Sequence, residues 1–379
     1  DNVCPSFGAC PSMGTANTMQ MLGEVLNLVL PGTSTIPASD NAKLRKAREA
    51  GMYMVEMAKA GRKPSDLITK EVLMNAIMFD MAVAGSTNAV LHILSYAYEL
   101  GIKLTLEDFE KYAEEIPCIN AVVPSGPYTV VDFHYAGGVM NVMKMLESKL
   151  YTNVPSMYGN TWADMLSKVK AQENKVIHSL EKPLFHEPGL KILRGNLSPN
   201  GAIVRPTAVY DEVKYMKGKA KVFEGDRPAF EAIMAGEIVP GDIIVIRYEG
   251  CKGAPGMKEL MLSIDALIGL GLDKSVGLIS DARFSGFNYG AIIGHVSPEA
   301  YDGGNIALVE NGDEIVIDIP NGEVSMLVSE EELERRRAAW VCPPLKEEKG
   351  CLNIFAKMCR PAEEGGAMQP WDLNAKFKR

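Results

Sequence analysis

A glycine-rich loop around Cys10 is the first of three segments whose residue types could do chemistry. Residues 8–14 read G-A-C-P-S-M-G and come directly before a predicted helix. Unpaired backbone N–H groups and the helix dipole stabilise a thiolate at such a position, which suits Cys10 to be a metal ligand or a nucleophile. On local features alone, the more common alternative is a small apolar cysteine in a packed turn. Cys4 lies nearby, but the spacing C-x5-C indicates no particular site.

The second segment, residues 247–259, carries two acids in a loop with several glycines. It reads R-Y-E-G-C-K-G-A-P-G-M-K-E and follows an apolar run that predicts a strand. Carboxylate oxygens are the ligands that Mg²⁺ takes in proteins, so Glu249 and Glu259 compete as candidate metal ligands. Either acid could instead be a solvated surface residue, which is the usual place of a single glutamate.

The third segment is S-D-A-R-F-S-G at residues 280–286, directly after the apolar run Val276 to Ile279. Polar residues at the end of a buried strand often carry function, and Ser285 beside Arg283 and Asp281 could bind a carboxylate or act as a base. The competing interpretation is a polar turn whose hydroxyls cap its own backbone. The pattern differs from the G-x-S-x-G elbow of hydrolases, and the sequence identifies no histidine for a catalytic triad.

Other catalytic patterns are absent from the sequence. The five histidines contain no H-x-x-x-H pair, which disfavours a zincin-like site. His134 precedes a glycine pair in D-F-H-Y-A-G-G and could face a ligand, although a buried, satisfied histidine is the more common case. The glycine patterns match neither a P-loop nor a dinucleotide fingerprint, so ATP and NAD are disfavoured.

Length and composition restrict the class of protein. A chain of 379 residues with 47% hydrophobic and 23% charged residues predicts a globular protein of two domains. The net charge of −9 has the wrong sign for a protein that binds nucleic acid phosphates, so we expect a small-molecule partner. Seven scattered cysteines without a C-x-x-C pair favour a reducing compartment. The most apolar run, Met81 to Tyr98, contains polar residues and predicts a buried, interrupted helix, so we expect a cytoplasmic protein without a membrane span.

Helices dominate the predicted first half of the chain, and short strands the second. A one-faced helix is predicted from Met19 to Val29, and Asp40 predicts the N-cap of a helix from Asn41 to about Ala60. A buried helix is predicted over 71–84, and the sequence T-L-E-D at 105–108 predicts a capping box. After about residue 183, strands are predicted at 202–204, 220–223, 243–248, 276–279, 315–319 and 324–328, and a late helix follows through residue 340.

In combination, these segments closely resemble the dihydroxy-acid dehydratase and sugar-acid dehydratase family. The matching motifs are G-A-C-P-S-M-G-T-A-N-T-M at 8–19, L-P-G-T-S-T-I-P-A at 30–38, A-G-S-T-N-A-V-L-H at 84–92 and L-R-G-N-L-S-P-N-G-A at 193–202. They continue with R-Y-E-G at 247–250, P-G-M-K-E at 255–259, S-D-A-R-F-S-G at 280–286 and G-H-V-S-P-E-A at 294–300. These motifs extend over essentially the whole chain in the family's order.

The resemblance implies a homodimeric hydro-lyase that removes water from a 2,3-dihydroxy carboxylic acid to give a 2-keto acid. It implies an iron–sulfur cluster, [2Fe–2S] in the dihydroxy-acid branch, together with Mg²⁺. By motif, Cys10 matches a cluster cysteine, Glu259 matches the Mg²⁺ ligand, and Ser285 matches the serine base that takes the C2 proton. The match favours Glu259 over Glu249 as the metal ligand.

The resemblance also implies the fold and the two domains. Residues 1–182 correspond to the helical later part of an N-terminal α/β domain, on the side of the cluster. Residues 183–379 correspond to a C-terminal β-barrel-like domain flanked by helices. The active site is expected between the two domains.

Departures from the family pattern leave alternatives open. The family's other two cluster cysteines and its C-D-K segment have no counterpart in these residues, so the chain looks like the C-terminal two-thirds of a family member. We therefore expect it to hold neither cluster nor Mg²⁺ well by itself, and an inactive fragment is one alternative. The substrate pattern favours 2,3-dihydroxy-3-methyl acids of branched-chain amino acid biosynthesis. S-D-A-R and M-G-T-A lean instead toward a pentonate (arabinonate or xylonate) dehydratase.

Overall fold

The first half of the protein is built from helices. A computed structural model describes residues 7–286 and 288–369. Its α-helices are α1 Thr15–Val25, α2 Asn41–Lys59, α3 Pro64–Leu67, α4 Lys70–Val83, α5 Thr87–Glu99, α6 Leu106–Glu115, α7 Val130–Tyr135, α8 Gly138–Met145, α9 Trp162–Leu166, α10 Asp226–Met234, α11 Leu262–Gly269, α12 Glu330–Ala339 and α13 Cys351–Met358. Nine of them precede the first strand.

Local capping signals explain where several of these helices begin. The Asp40 side chain accepts a hydrogen bond from Ala42 N at 2.7 Å, as predicted for the N-cap of α2. Thr105 N donates to Asp108 Oδ2 at 3.0 Å, as predicted for the capping box of α6. These ends were predictable because each depends on residues only two or three positions apart.

The end of α1 differs from the prediction. The helix ends at Val25, because Asn27 adopts a positive φ of 60° and the backbone N–H groups of Leu28 and Val29 turn back to Gly23 O. The amide of Asn27 also donates to Leu67 O and Pro155 O, which fixes this turn against distant segments. The apolar spacing continues past the turn, so periodicity alone overestimates the length of the helix.

The predicted interruption within the most apolar run is present. Helix α4 ends at Val83, its C-cap Ala84 has a φ of 48°, and α5 starts at Thr87 with Ser86 as N-cap. The loop between the two helices, residues 84–86, is fully buried. Among the described residues, no helix has the length and apolar content needed to cross a membrane.

An eight-stranded sheet forms the second half and curves into a barrel. Its strands follow the order β1-β2-β8-β6-β4-β3-β9-β10, and two short strands, β5 and β7, pair separately. The strands are β1 Lys191–Leu193, β2 Gly201–Val204, β3 Tyr215–Phe223, β4 Asp242–Ile246, β5 Glu259–Leu260, β6 Gly277–Ser280, β7 Arg283–Phe284, β8 Ile292–Ser297, β9 Glu314–Asp318 and β10 Glu323–Met326.

The two edges of the eight-stranded sheet meet. Arg194, which follows β1, forms a parallel bridge with Glu323 of β10, and Arg194 N donates to Gly322 O at 2.8 Å. The sheet is therefore nearly closed, and its interior is filled by apolar side chains such as Ile243, Ile293 and Ile317. This confirms the predicted mixed α/β fold with a barrel-like C-terminal part. Helices α10 and α11 pack on the outer face of the sheet.

The strand prediction misses β8, which runs through the centre of the sheet. Its register with β2 shifts between Gly201 and Ile203, which pair with Ser297 and Gly294 respectively. Two residues of β2 thus span three of β8, which is a bulge at His295, and His295 has a φ of 55°. The run I-I-G-H-V-S contains a glycine and a histidine, which interrupt the β-branched pattern from which strands are predicted.

The domain boundary at residues 182 and 183 stays a prediction. The apolar core of the helical half includes Ile192 and Ile203, which lie beyond that boundary. The barrel core begins with Leu193.

Candidate active site

The Cys10 loop leads into α1, as predicted. Cys10 is exposed, and its Sγ lies 3.4 Å from Ser12 Oγ. The amide of Asn17, in the first turn of α1, donates to Cys10 O at 2.6 Å and to Ser12 O at 2.7 Å. These bonds hold the loop against the helix that follows it and leave the thiol at the surface of the loop.

Asn88 connects the first half of the chain to the second. Its Nδ2 donates to Glu259 Oε1 at 2.6 Å, to Thr15 Oγ1 at 2.7 Å and to Phe284 O at 3.2 Å. Asn88 is fully buried in the first turn of α5, where Ser86 Oγ accepts its backbone N–H. The side-chain amide of Asn88 therefore forms hydrogen bonds with Glu259, with the first residue of α1 and with the residue before Ser285.

Glu259 and Ser285 lie on adjoining segments. Strand β5 pairs in parallel with β7, so that Glu259 is opposite Arg283 and Leu260 is opposite Phe284. Arg283 Nε also donates to Met257 O at 2.6 Å, which ties the two segments together. Ser285 follows β7 directly and is half-buried.

Contact between two glycines brings the Cys10 loop to the Ser285 loop. A Cβ added to Gly286 would lie 2.6 Å from Gly14 Cα and 2.9 Å from Met13 O. A Cβ added to Gly14 would in turn lie 3.7 Å from Cys10 Sγ. The absence of side chains at both positions lets the two loops touch, so the structure gathers all three predicted segments in one region.

Asp281 stabilises the R-Y-E-G loop rather than facing solvent. Its carboxylate accepts the backbone N–H groups of Tyr248 and Glu249 at 3.1 Å and of Ala300 at 2.9 Å. Burial raises the pKa of Asp281 to about 6, although these hydrogen bonds favour the charged form. Asp281 therefore has a structural role that its sequence motif did not reveal.

Glu299 binds the same loop from the opposite side. Its carboxylate accepts Lys252 N at 3.0 Å and Gly253 N at 2.9 Å. Burial, followed by the nearby charge of Asp281, raises the pKa of Glu299 to about 8. Glu249, the rejected metal candidate, is buried and lies 3.1 Å from Lys346 Nζ.

Two histidines lie beside Arg283. His92 is four residues after Asn88 in α5, and His295 lies in the bulge of β8, where its backbone N donates to Ala282 O at 2.9 Å. Burial lowers the pKa of His295 to about 3, with smaller contributions from Arg283 and His92, so this imidazole is neutral at working pH. His134, the other histidine considered in the sequence, lies elsewhere, with Nδ1 3.0 Å from Thr35 Oγ1.

The donor atoms present fit the implied metals in kind but not in number. Cys10 offers a thiolate sulfur, which suits iron, and Glu259 offers a carboxylate oxygen, which suits Mg²⁺. Within residues 7–286 and 288–369, no group of three or more His, Cys, Asp or Glu side chains could hold a metal ion. Cys4 lies outside the described residues. The described residues thus supply single donors rather than a complete ligand set.

Sequence comparisons identify relatives over nearly the whole chain. The family model described as dihydroxy-acid/6-phosphogluconate dehydratase N-terminal matches residues 1–165, and the corresponding C-terminal model matches residues 175–366. The dihydroxy-acid dehydratase of Clostridium novyi (strain NT) is 44% identical over 369 residues, which cover 97% of this chain and 67% of the relative. The protein of the same name from Methanosarcina barkeri (strain Fusaro) is 45% identical over 367 residues, 96% of this chain and 66% of the relative.

These matches define the class as dehydratases, enzymes that remove water from a small-molecule substrate. The chain belongs to the dihydroxy-acid/6-phosphogluconate dehydratase family. It spans about two thirds of the length of the curated relatives that it matches. Members of this family are generally metal-dependent.

One part of the sequence prediction was wrong. The chain was expected to represent only the C-terminal two-thirds of a family member, yet the N-terminal family model also matches, from residue 1.

Proposed function

We propose that the protein dehydrates a 2,3-dihydroxy carboxylic acid to a 2-keto acid, with 2,3-dihydroxy-3-methyl acids of branched-chain amino acid biosynthesis as its substrates. The observation that carries the proposal is the hydrogen bonding of Asn88, which joins Glu259 to the segment before Ser285 and to the start of α1. Relatives that are 44% and 45% identical to this chain are named dihydroxy-acid dehydratase.

In the proposed reaction, Ser285 Oγ takes the proton from C2 of the substrate. The C3 hydroxyl leaves with a proton as water, and the resulting enol becomes the 2-keto acid by moving a proton to C3. The overall change is the loss of one water molecule, without oxidation or reduction. A serine hydroxyl is a weak base at neutral pH, so this role requires a neighbouring cation that favours its deprotonated form.

The proposed cofactors are a [2Fe–2S] cluster and Mg²⁺. Cys10 would contribute one thiolate to the cluster, and Glu259 one carboxylate oxygen to the magnesium ion. Bound in this way, the two groups would supply Lewis-acid chemistry for removal of the hydroxyl group. Support comes from the donor types and from the proximity of the Cys10 loop to the Ser285 loop.

The test is formation of 2-keto acid by the full-length protein, purified and reconstituted with iron and sulfide without oxygen. We expect turnover of 2,3-dihydroxyisovalerate, at a higher kcat/KM than that of arabinonate. A higher kcat/KM with arabinonate would favour the pentonate dehydratase alternative, which S-D-A-R and M-G-T-A support. Absence of 2-keto acid from both acids, in protein shown to contain iron, would contradict the activity.

The single donors at Cys10 and Glu259 support one second candidate, a polypeptide that is inactive by itself. It predicts an iron content near zero after reconstitution, whereas the proposed enzyme retains iron. We further propose that the protein is a homodimer and acts in the cytoplasm, as the family resemblance implies. Light scattering on the reconstituted protein tests the first point, and cell fractionation tests the second.

A further inference from the structure

Arg205 donates hydrogen bonds to three separate segments around the candidate site. Its Nη1 donates to Gly286 O at 2.5 Å, and its Nη2 donates to Met13 O at 3.2 Å and to Gly85 O. Met13 belongs to the Cys10 loop, Gly286 follows Ser285, and Gly85 lies in the turn that leads to Asn88. Arg205 itself directly follows β2, so one barrel strand supplies the link.

The guanidinium group of Arg205 is completely buried, so it donates to protein carbonyl groups and not to bulk water. Arg205 is 2% exposed, and burial lowers its pKa to about 10 despite the opposing charge of Asp80. Asp80 is 0% exposed and its carboxylate lies against Gly85, because a Cβ at position 85 would be 1.7 Å from Asp80 Oδ1. A buried charge of this kind destabilises a fold unless hydrogen bonds and an opposite charge compensate it.

We propose that Arg205 is a positioning residue for the dehydration reaction, which holds the Cys10 loop and the Ser285 loop at a fixed separation. The three carbonyl groups come from segments far apart in sequence, and a guanidinium can donate to all of them from one plane. The inference rests on the proposed function only for its effect on turnover. Its effect on the loops is independent of any cofactor.

The decisive experiment measures amide hydrogen exchange and labelling of Cys10 by iodoacetamide in the metal-free protein. We compare the parent with Arg205→Met, which removes every donor, and with Arg205→Lys, which keeps the charge and an ammonium group with three donors. Arg205→Met should raise exchange in the peptides that contain Cys10 and Ser285 roughly fivefold or more, and change the labelling rate of Cys10. Arg205→Lys should restore much of the parent behaviour.

Arg247→Met is the matched control, because Arg247 also donates to two backbone carbonyls, those of Ala307 at 2.6 Å and Val309 at 3.1 Å. It should leave exchange in the Cys10 and Ser285 peptides unchanged. If Arg205→Met does not fold, the double variant Asp80→Asn, Arg205→Met also replaces the neighbouring buried carboxyl group, and the same exchange and labelling measurements are made on it.

In the reconstituted enzyme, Arg205→Met should lower kcat more than it raises KM, with partial recovery in Arg205→Lys. Parent-like exchange and labelling in Arg205→Met would overturn the proposal, as would an increase spread evenly over the whole chain. If the parent itself forms no 2-keto acid, the proposed function fails while the exchange data still decide the role of Arg205.

Discussion

At the scale of single residues, the site depends on a few polar side chains that reach across the fold. Asn88 is the clearest case, since one amide contacts Glu259, Thr15 and the carbonyl of Phe284. The sequence motif A-G-S-T-N-A shows that this loop is distinctive, but it does not show which partners the amide binds. Those partners lie 73 to 196 positions away in the chain.

Replacing Asn88 tests this connection. Asn88→Ala should lower the free energy of unfolding by about 1–3 kcal/mol, because Glu259 and Phe284 O lose a buried donor, and turnover per folded molecule should fall as Glu259 loses its orientation. Asn141→Ala is the control, since the Asn141 amide similarly donates to Ala136 O and Gln172 O, both at 2.9 Å. Urea unfolding and kcat are measured for both variants; equal losses of kcat would contradict a specific role for Asn88.

The protonation of Glu299 predicts how stability changes with pH. Its pKa rises from 4.5 to about 8 on folding, so the folded state binds the proton more tightly. This contribution to stability is fully present below pH 4.5 and is lost as the pH rises toward 8. The predicted loss is on the order of a few kcal/mol. Asp281, whose pKa rises to about 6, acts in the same direction at lower pH.

Glu299→Gln should therefore flatten the dependence of unfolding free energy on pH between 5 and 8. Glutamine keeps a carbonyl oxygen that can accept Lys252 N or Gly253 N, and it has no proton to lose. Glu212→Gln, at an exposed position, serves as the control. If the unfolding free energy of the variant changes with pH as it does in the parent, Glu299 does not cause that pH dependence.

At the scale of elements, backbone conformation limits what the sequence reveals. The ends of α2 and α6 were predictable from caps two or three residues apart, whereas the end of α1 depends on Asn27 contacts with Leu67 and Pro155. Strand β8 escaped prediction because a bulge places His295 at a positive φ. Sequence patterns therefore predict the ends that neighbouring residues determine, but not those that depend on distant contacts or on a bulge.

The bulge makes an unusual prediction about substitutions at position 295. His295→Val, which strand propensity would favour, should lower the free energy of unfolding by about 1–2 kcal/mol more than His295→Asn, because asparagine tolerates a positive φ and β-branched residues do not. Urea unfolding of the two variants measures the difference. A valine variant as stable as the asparagine variant would contradict the assigned backbone conformation.

At the scale of the whole molecule, the candidate site lies where the helical half meets the second half of the chain. Cys10 lies before α1, whereas Glu259 begins β5 and Ser285 follows β7, and glycines at positions 14 and 286 allow contact between the Cys10 loop and the Ser285 loop. Only the family resemblance relates these residues, because no local sequence pattern connects positions 10 and 285. The role of Arg205 was not predictable for the same reason, since nothing in G-A-I-V-R-P indicates its three carbonyl partners.

The most direct test of the proposed mechanism is the kcat of Ser285→Ala with 2,3-dihydroxyisovalerate, measured in reconstituted enzyme with the iron content of the parent. We expect a loss of roughly a thousandfold or more in kcat, because the alanine variant lacks the group proposed to take the C2 proton. Amide exchange around Cys10 should stay unchanged, which would show that the loops remain in place. A variant that keeps its iron and more than about a tenth of the parent kcat would contradict the role of Ser285 as the base.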